Sequence, residues 1–585
     1  MSRAVPVAAA LGLALSLAAG AVSAGAPAKS GAASSNDPTL AALEDESARA
    51  VRELRLPGMP EPYLVTATVL DDDELELRAS LGSLVLRRRE RSRHLKTEVR
   101  VGSRALDSSG FMSDDGAPLV EYERVPFEPG YGPLRRALWL AADRAFKSAT
   151  ARYEAKRALR ESEGGAQEQP PSRAEHAPVL SLGERAPALP DDPGWVALCQ
   201  RLSAVFRAHP AIHESSVRLS ALSRTRTLVD SDGTRVVEPS ALVRVEIVAR
   251  TQADDGMPLV HHAAFAASAL EGLPPEAELV AAAERVAVEL DRLRVAPLVS
   301  DYAGPILFED VAAPELLRPL LADELSGTPL PRAAFGGTVG DASALEHRVG
   351  WRVLPLGFEV VDEPGFVGEG GRALVGGYRH DDEGIPGERV SIVEDGTLRA
   401  LLTSLTPSLP ASRSNGHGRA GASSTARGLP SVLLVTTRRG VSRPALRARL
   451  LAEARAQGLE RAMVVRKFDD PGVTGSSLTP TGASGAVTLP APVLLYEVDL
   501  RGRERLVRGG RVESLSTRDL RRLLAAGRNG TAYSYLASAV ARRGVWVGDI
   551  PATILAPDLL VADADVRRPT EPPPKPPALP PPPAK

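Results

Sequence analysis

The sequence predicts an α+β protein in two parts: an N-terminal domain of antiparallel sheet plus helices, then a C-terminal domain that is mostly β with long loops. Three observations carry this. Residues 37–300 mix stretches of helical periodicity with polar–apolar alternation at hairpin spacing. From about Asp301 onward, Gly, Pro and short β-like runs dominate. A hydrophobic share of 43% over 585 residues is too high for wholesale disorder and, by length, suits roughly two to four domains.

The elements follow in order. Residues 1–24 read as a secretory signal peptide: Arg3 supplies the charge, residues 7–17 the apolar run, and Val22-Ser23-Ala24 the small-residue cleavage site. The run is short for the ~20 residues a membrane span needs. No cysteine lies near it, which excludes a lipoprotein, and no later segment is apolar enough to span a bilayer. The expectation is an exported protein, periplasmic or secreted. Residues 25–36 are a small, polar tether. Asp37-Pro38 offers an N-cap with proline at the first helical position, opening a helix to about Leu54. Residues 63–70 and 74–80 read as strands around a turn at Asp71, Asp72 and Asp73, and residues 82–89 and 95–101 as a second hairpin. Residues 133–160 are strongly helical. Residues 161–190, rich in Glu, Ala, Pro and Ser, read as a flexible insertion. Helix over 195–206, strands over 216–249 and helix over 274–293 complete the N-terminal domain.

The C-terminal domain, 301–566, opens with a strand at 304–308 and a helix at 314–325. Short strands follow at 359–361, 391–393, 431–436, 463–465 and 493–498, set among loops long enough to carry function. Residues 567–585 form a Pro-rich tail, Pro572 to Lys585 reading PPPKPPALPPPPAK, which suits extended polyproline II as a spacer or a proline-recognition sequence.

Composition excludes several chemistries. With 73 acidic against 71 basic residues the net charge is -2, so the chain has no global attraction for nucleic acid. The basic cluster at 87–93 has no interleaved aromatics and reads as a solvated strand end. Cys199 is the sole cysteine, so no internal disulfide and no Cys-rich metal knuckle can form. No G-x-S-x-G elbow, P-loop or H-E-x-x-H occurs. His209 and His213 have i, i+4 spacing but enclose Pro210. His261 and His262 alternate along a strand and point to opposite faces. Both pairs read as structural, and no metal site is assigned.

Two stretches carry more chemistry. HDDEGIPG, with His380, Asp381 and Asp382, packs ionisable groups beside a Gly-Pro turn that could present them to a cation or amine, or form a polar hairpin tip. SNGHGRA places Asn415, His417 and Arg419 among glycines, which let a backbone approach closely, while His417 can carry a proton. These six residues are the candidate substrate-binding set.

Taken in order, GPILFEDVAAPEL (304–316), HDDEGIPGERVSIVEDGTLRALLTS (380–404), SNGHGRA (414–420) and PVLLYEVDLRGRERLVRGG (492–510) resemble the C-terminal domain of the TldD/PmbA family, also called modulators of DNA gyrase. Residues 56–84 look like the N-terminal part of its exported members. The resemblance implies a metallopeptidase-family fold, peptide or unfolded polypeptide as ligand, and zinc as the cofactor of active members, held by an H-E-x-x-x-H helix plus a cysteine. Here Phe308 and Ala313 stand at the two histidines and Glu309 at the general base, while Cys199 lies outside the domain. Neither phenylalanine nor alanine has a donor atom for zinc. The resemblance therefore implies an exported PmbA-like chain without cofactor, a peptide-binding or accessory subunit that pairs with a zinc-bearing TldD-like partner. Two other readings stay open: a hydrolase with catalytic groups relocated around His380 and His417, and a cell-envelope scaffold using the Pro-rich tail.

Overall fold

The computed structural model describes residues 37–568 apart from 114–118, 129, 165–169, 192, 341, 369–373, 410, 477–486 and 538–549, and also Lys575. The signal peptide, the tether and nearly all of the Pro-rich tail lie outside the described residues.

The N-terminal domain runs α1 (Pro38–Glu53), β1 (Pro62–Ser80), β2 (Ser83–Val101), β3 (Phe111–Met112), β4 (Glu121–Val125), α2 (Tyr131–Ser162), β5 (Leu180–Leu182), α3 (Pro193–Ala204), β6 (Glu214–Asp230), β7 (Arg235–Gln252), β8 (Pro258–Ala267) and α4 (Glu276–Val295). Its sheet has the order β4-β2-β1-β6-β7-β5, with β8 beside β7, and every pairing except β5 with β7 is antiparallel. Asp37 caps α1, its carboxylate accepting from the Thr39 N–H at 2.9 Å, with Pro38 at the first position as expected. Leu40 and Leu43 of α1 and Leu134 and Leu138 of α2 pack on Val69 and Leu95. Leu202 of α3 and Leu279, Val286 and Leu290 of α4 pack on Leu77, Val217 and Val245. His209 and His261 are structural pins on α4: His209 Nδ1 meets Asp291 at 2.7 Å, and His261 Nε2 meets Glu289 at 2.7 Å.

Three local expectations are corrected. Asp71, Asp72 and Asp73 form no turn but continue one 19-residue strand, β1. Aspartate is a poor strand former, yet each of the three finds a guanidinium across the sheet, Arg93, Arg224 and Arg89 respectively, and cross-strand ion pairs offset the propensity. The second hairpin is likewise a single strand, β2, whose basic cluster faces β1 in register from Leu86 to Leu95. Within the stretch read as a flexible insertion, residues 180–190 are built into the fold. Leu180–Leu182 adds β5, and the following residues cross the sheet face as a strap. Along it, Gly183 N donates to Val237 O at 2.8 Å, Ala186 N to Thr225 Oγ1 at 2.8 Å and Leu189 N to Asp73 Oδ2 at 3.0 Å.

The C-terminal domain comprises β9 (Tyr302–Phe308), α5 (Ala312–Leu320), β10 (Arg332–Ala333), β11 (Phe358–Asp362), β12 (Val390–Glu394), β13 (Thr397–Leu398), β14 (Gly418–Arg419), β15 (Arg427–Gly428), β16 (Val432–Thr437), α6 (Arg443–Ala456), β17 (Arg461–Phe468), α7 (Pro471–Thr474), β18 (Pro492–Asp499), β19 (Glu504–Val507), β20 (Arg511–Glu513), β21 (Leu523–Ala537) and β22 (Ile550–Arg567). The mixed sheet has the order β13-β12-β11-β16-β22-β9-β17-β18-β19, and β20 and β21 also pair with β22. Strand alternation sorts its two faces. Ile306, Phe308, Met463 and Val465 join Leu316, Leu317 and Leu320 of α5 in the larger core. Leu307, Ala462 and Val464 instead meet Leu446 and Leu450 of α6. Proline at 319 lies inside α5, which ends at Leu320, shorter than the expected 314–325. Among the described residues no helix is long and apolar enough to cross a membrane.

Candidate functional site

Two places bear on function: the position of the absent zinc motif, and the pair of loops carrying the six candidate binding residues.

At the first, β9 ends on Phe308, whose ring stacks on Phe468 at 6.0 Å on the α5 side of the sheet. Ala313, in the first turn of α5, is fully buried in the same core. Glu309 lies in the bend between them, with Asp310 at φ 55°, and so precedes the helix. Strand alternation turns it to the α6 side. There its fully buried carboxylate accepts from Arg447 Nε at 2.7 Å and Nη2 at 2.8 Å, and from Arg466 Nε at 3.0 Å. Both arginines also reach Glu504, at 3.0 Å and 2.6 Å, closing a ring of two acids and two bases. Burial alone would raise the Glu309 carboxyl, but the bonds from Arg447 and Arg466 outweigh it and hold the group below the ordinary glutamate range. The same bend is fastened by Arg443, one turn before Arg447, which binds Asp558 and Asp310 at 2.8 and 2.7 Å.

The donor set here does not fit zinc. Phe308 and Ala313 offer no ligand atom, and they face the opposite side of the sheet from Glu309. Both oxygens of Glu309 are taken by guanidinium groups. Cys199, in α3 of the other domain, is buried in an apolar core that pushes its thiol up to about 12, the reverse of what a metal-binding thiolate needs.

At the second place, the loops 380–387 and 414–421 grip each other and the N-terminal sheet. Asp381 is fully buried. Its Oδ1 accepts from Glu383 N and Ile385 N at 3.0 and 2.9 Å, and its Oδ2 from Gly418 N at 2.8 Å. Burial and the neighbouring Glu383 charge push its carboxyl well above the aspartate range. Asp382 accepts from Ala420 N at 2.8 Å, Arg419 Nε at 3.3 Å and Arg226 Nη1 at 3.0 Å. Burial would raise it, but Arg419 and Arg226 prevail and keep it low. Arg226, on β6, also donates to the carbonyls of Asp381 and His380 and to Glu238 on β7, and Glu238 in turn binds His380 Nδ1. From β2, Lys96 Nζ donates to the carbonyls of Gly421 at 3.1 Å and Ser424 at 2.7 Å.

The glycines of SNGHGRA do serve close approach, but what approaches is this chain's other loop. A Cβ at Gly416, where φ is +71°, would lie 2.0 Å from Pro386 O, and one at Gly418 would lie 2.3 Å from Glu383 Oε2. Asn415 accepts from Thr403 N at 2.8 Å and donates to Leu401 O at 2.9 Å. Arg419 stacks on Tyr378, 4.4 Å from the ring centre. His417 is enclosed, with Nε2 2.9 Å from Asp362 Oδ1. The sequence thus brings all six residues together, and their polar groups are engaged in joining loop to loop and domain to domain. The partners missed in the sequence, Asp362, Arg226, Glu238 and Lys96, lie up to hundreds of residues away and carry no local motif. Arg443 and Arg447 did leave one signal, an i, i+4 arginine pair on a helix face.

An α+β architecture, an antiparallel N-terminal sheet followed by a mixed C-terminal sheet, is the class these features define. Residues 305–452 match the PmbA/TldA metallopeptidase C-terminal domain. Three solved structures share the fold. TldE from Thermococcus kodakarensis is 11% identical, with a TM-score of 0.56 over 90% of this chain and 99% of that one. Proteins described as proposed modulators of DNA gyrase from Thermotoga maritima and Bacteroides thetaiotaomicron are 14% and 13% identical, with TM-scores of 0.54 and 0.53. They cover 86% and 90% of this chain and 96% and 98% of theirs. At these identities the likeness is one of fold. No curated protein sequence matches at a significant level. Residues 305–452 thus match the family's C-terminal domain, and the chain as a whole shares the fold of these three structures.

Proposed function

We propose that this chain is an exported, peptide-binding member of the family that has lost its own zinc chemistry and serves as the accessory subunit of a peptidase, beside a zinc-bearing TldD-like partner. The observation that carries the reading is Glu309. The one acid at the family's general-base position is ionised, buried and chelated by Arg447 and Arg466, with no donor atom at Phe308 or Ala313. A carboxylate so held cannot take a proton from water, and without a metal-activated water the site lacks a nucleophile at neutral pH. The enclosure of His417 and Asp381 tells against a relocated hydrolase, because no substrate atom can reach them in this arrangement.

The test is metal analysis of the purified chain, with cleavage of an unfolded polypeptide measured alone and beside a zinc-bearing relative from the same source. Zinc well below one per chain, no cleavage alone, and stable pairing that changes the partner's cleavage are expected. One zinc per chain with chelator-sensitive cleavage by the isolated chain would overturn the reading.

A further inference from the structure

The chain contains three asparagines, Asn36, Asn415 and Asn529, and the last two are each followed by glycine. An asparagine before glycine is the one most open to attack by its own backbone, because glycine has no Cβ to shield the next peptide nitrogen. The two pairs occupy opposite environments, so one molecule holds both the reactive case and its control. Asn415-Gly416 sits in the seam between the domains. Asn415 Oδ1 accepts from Thr403 N at 2.8 Å, and its Nδ2 donates to Leu401 O at 2.9 Å. Gly416 N donates to Ser414 Oγ at 3.1 Å, and Gly416 is buried against Pro386. Both the side-chain amide and the nitrogen that would attack it are therefore held apart by other bonds.

Asn529-Gly530 lies on β21 where its register against β22 slips. Ala526 faces Leu559 and Gly530 faces Pro557, so Gly527, Arg528 and Asn529 stand against Asp558 alone. Such a bulge leaves Asn529 without a residue of its own across the ladder. Arg528, Asn529 and Gly530 are all exposed, and among the described residues the Asn529 side chain makes no hydrogen bond. Pro557, opposite Gly530, has no N–H to give the ladder, which loosens the pairing at this step. A Cβ at 530 would press on Leu555 Cγ at 3.1 Å. Packing against β22 thus favours the same glycine that leaves Asn529 open to attack.

We propose that Asn529 is a site of spontaneous deamidation and isoaspartate formation in the folded protein, and that the fold protects Asn415 from the same reaction. The Gly530 nitrogen attacks Asn529 Cγ, the Cγ–Nδ2 bond breaks, and Nδ2 leaves as ammonia with the proton that Gly530 gives up. Water then opens the five-membered imide. Opening at Cγ yields aspartate at 529. Opening at the main-chain carbonyl yields isoaspartate, whose backbone runs through Cγ and is one carbon longer. Either product places a carboxylate next to Arg528. The longer backbone arises where the bulge is fastened to the loop before α6, Val441 N donating to Ala526 O at 3.0 Å and Arg528 Nε to Gly440 O at 3.2 Å.

The experiment holds the full chain native at mildly alkaline pH, with a parallel sample in denaturant, and digests aliquots of both under acidic conditions. Mass spectrometry reads the peptides spanning 415 and 529 for the gain of about 1 Da that marks replacement of the amide by a carboxyl, and fragmentation separates aspartate from isoaspartate. In the native chain Asn529 should convert at least about tenfold faster than Asn415, and denaturant should bring the two rates within about threefold of each other. Asn529→Gln, whose longer side chain closes a ring far less readily, should remove the conversion at 529 and leave the melting temperature unchanged. Equal conversion of the two sites in the native chain, or conversion at 529 only after denaturation, would overturn the proposal. A rate ratio that denaturant leaves unchanged would also overturn it, because sequence and not fold would then set the difference.

Discussion

His417 Nε2 lies 2.9 Å from Asp362 Oδ1, and neither side chain has any exposed surface. The pair joins the SNGHGRA loop to the end of β11. Asp362 also accepts the Ser431 N–H at 3.0 Å and the Ser431 hydroxyl, and His417 Nδ1 faces Asn415 O at 3.0 Å. All the polar atoms of the imidazole are therefore satisfied inside the domain. His417→Ala leaves a buried carboxylate short of a partner, and removing one member of a buried pair costs about 3–5 kcal/mol. Urea unfolding of the variant should show a loss in that range. A loss below ~0.5 kcal/mol would mean the histidine is dispensable to the fold and free for other work.

Arg226 ties the two domains together, reaching two carbonyls and one carboxylate of the 380–382 loop from β6. Arg226→Ala should loosen the domains from each other more than it unfolds either. Asp382 keeps Arg419, and His380 keeps Glu238. The expected result is faster amide exchange over residues 380–387 and 414–421, with protection in β1 and β6 unchanged. Uniformly faster exchange across the sheet would contradict a role confined to the clasp.

How much of this was legible in the sequence depended on the range of the interaction. The cap at Asp37, the helices of the N-terminal domain and the short C-terminal strands announce themselves through neighbours within a few residues. Asp71, Asp72 and Asp73 misled, because what makes them a strand is Arg93, Arg89 and Arg224, up to 152 residues distant. The strap misled for a similar reason: its ordering bonds come from Asp73, Ser223 and Thr225. The candidate loops were found by their dense chemistry, but chemistry alone cannot distinguish a ligand site from a seam between domains. Only the positions of Arg226 and Glu238 do that.

Glu315, in α5, gives the fold a distinct pH response. It is buried, and its Oε2 accepts from Phe468 N at 2.7 Å. Burial raises its carboxyl from 4.5 to about 8, against the opposing charge of Lys467. A carboxyl with a raised folded pKa binds its proton more tightly when folded. Its contribution to stability is fully present below about pH 4.5 and is lost as pH rises through about 8. Glu315→Gln keeps the acceptor and cannot ionise. Denaturant midpoints from pH 5 to 9 should fall in the parent relative to the glutamine variant, with the variant the more stable above pH 8. Parallel curves would show that Glu315 is charged throughout.

Glu309 responds in the opposite sense. Arg447 and Arg466 hold its folded pKa below 4.5, so its contribution is present above that value and fades as pH falls through the lowered one. Glu309→Gln should therefore cost stability at pH 7, on the order of 2–4 kcal/mol for a weakened buried ion network, and much less near pH 3.

The same geometry makes a prediction about restoring the family's motif. Phe308→His with Ala313→His recreates H-E-x-x-x-H in the sequence, yet position 308 ends β9 and position 313 lies in α5, both in the apolar core of the α5 side. Glu309 sits across the sheet, held by Arg447 and Arg466. Two imidazoles placed in that core lose the Phe308–Phe468 stack and bury polar nitrogens without partners, at about 1–3 kcal/mol for each unsatisfied group. No cysteine in this domain can complete a ligand set. The double variant should melt at a lower temperature than the parent, and added zinc should neither restore that loss nor produce chelator-sensitive cleavage of an unfolded polypeptide. Zinc-dependent recovery of stability together with cleavage would show that the two positions converge on a metal after all, and that the Glu309 ion pairs open to admit it.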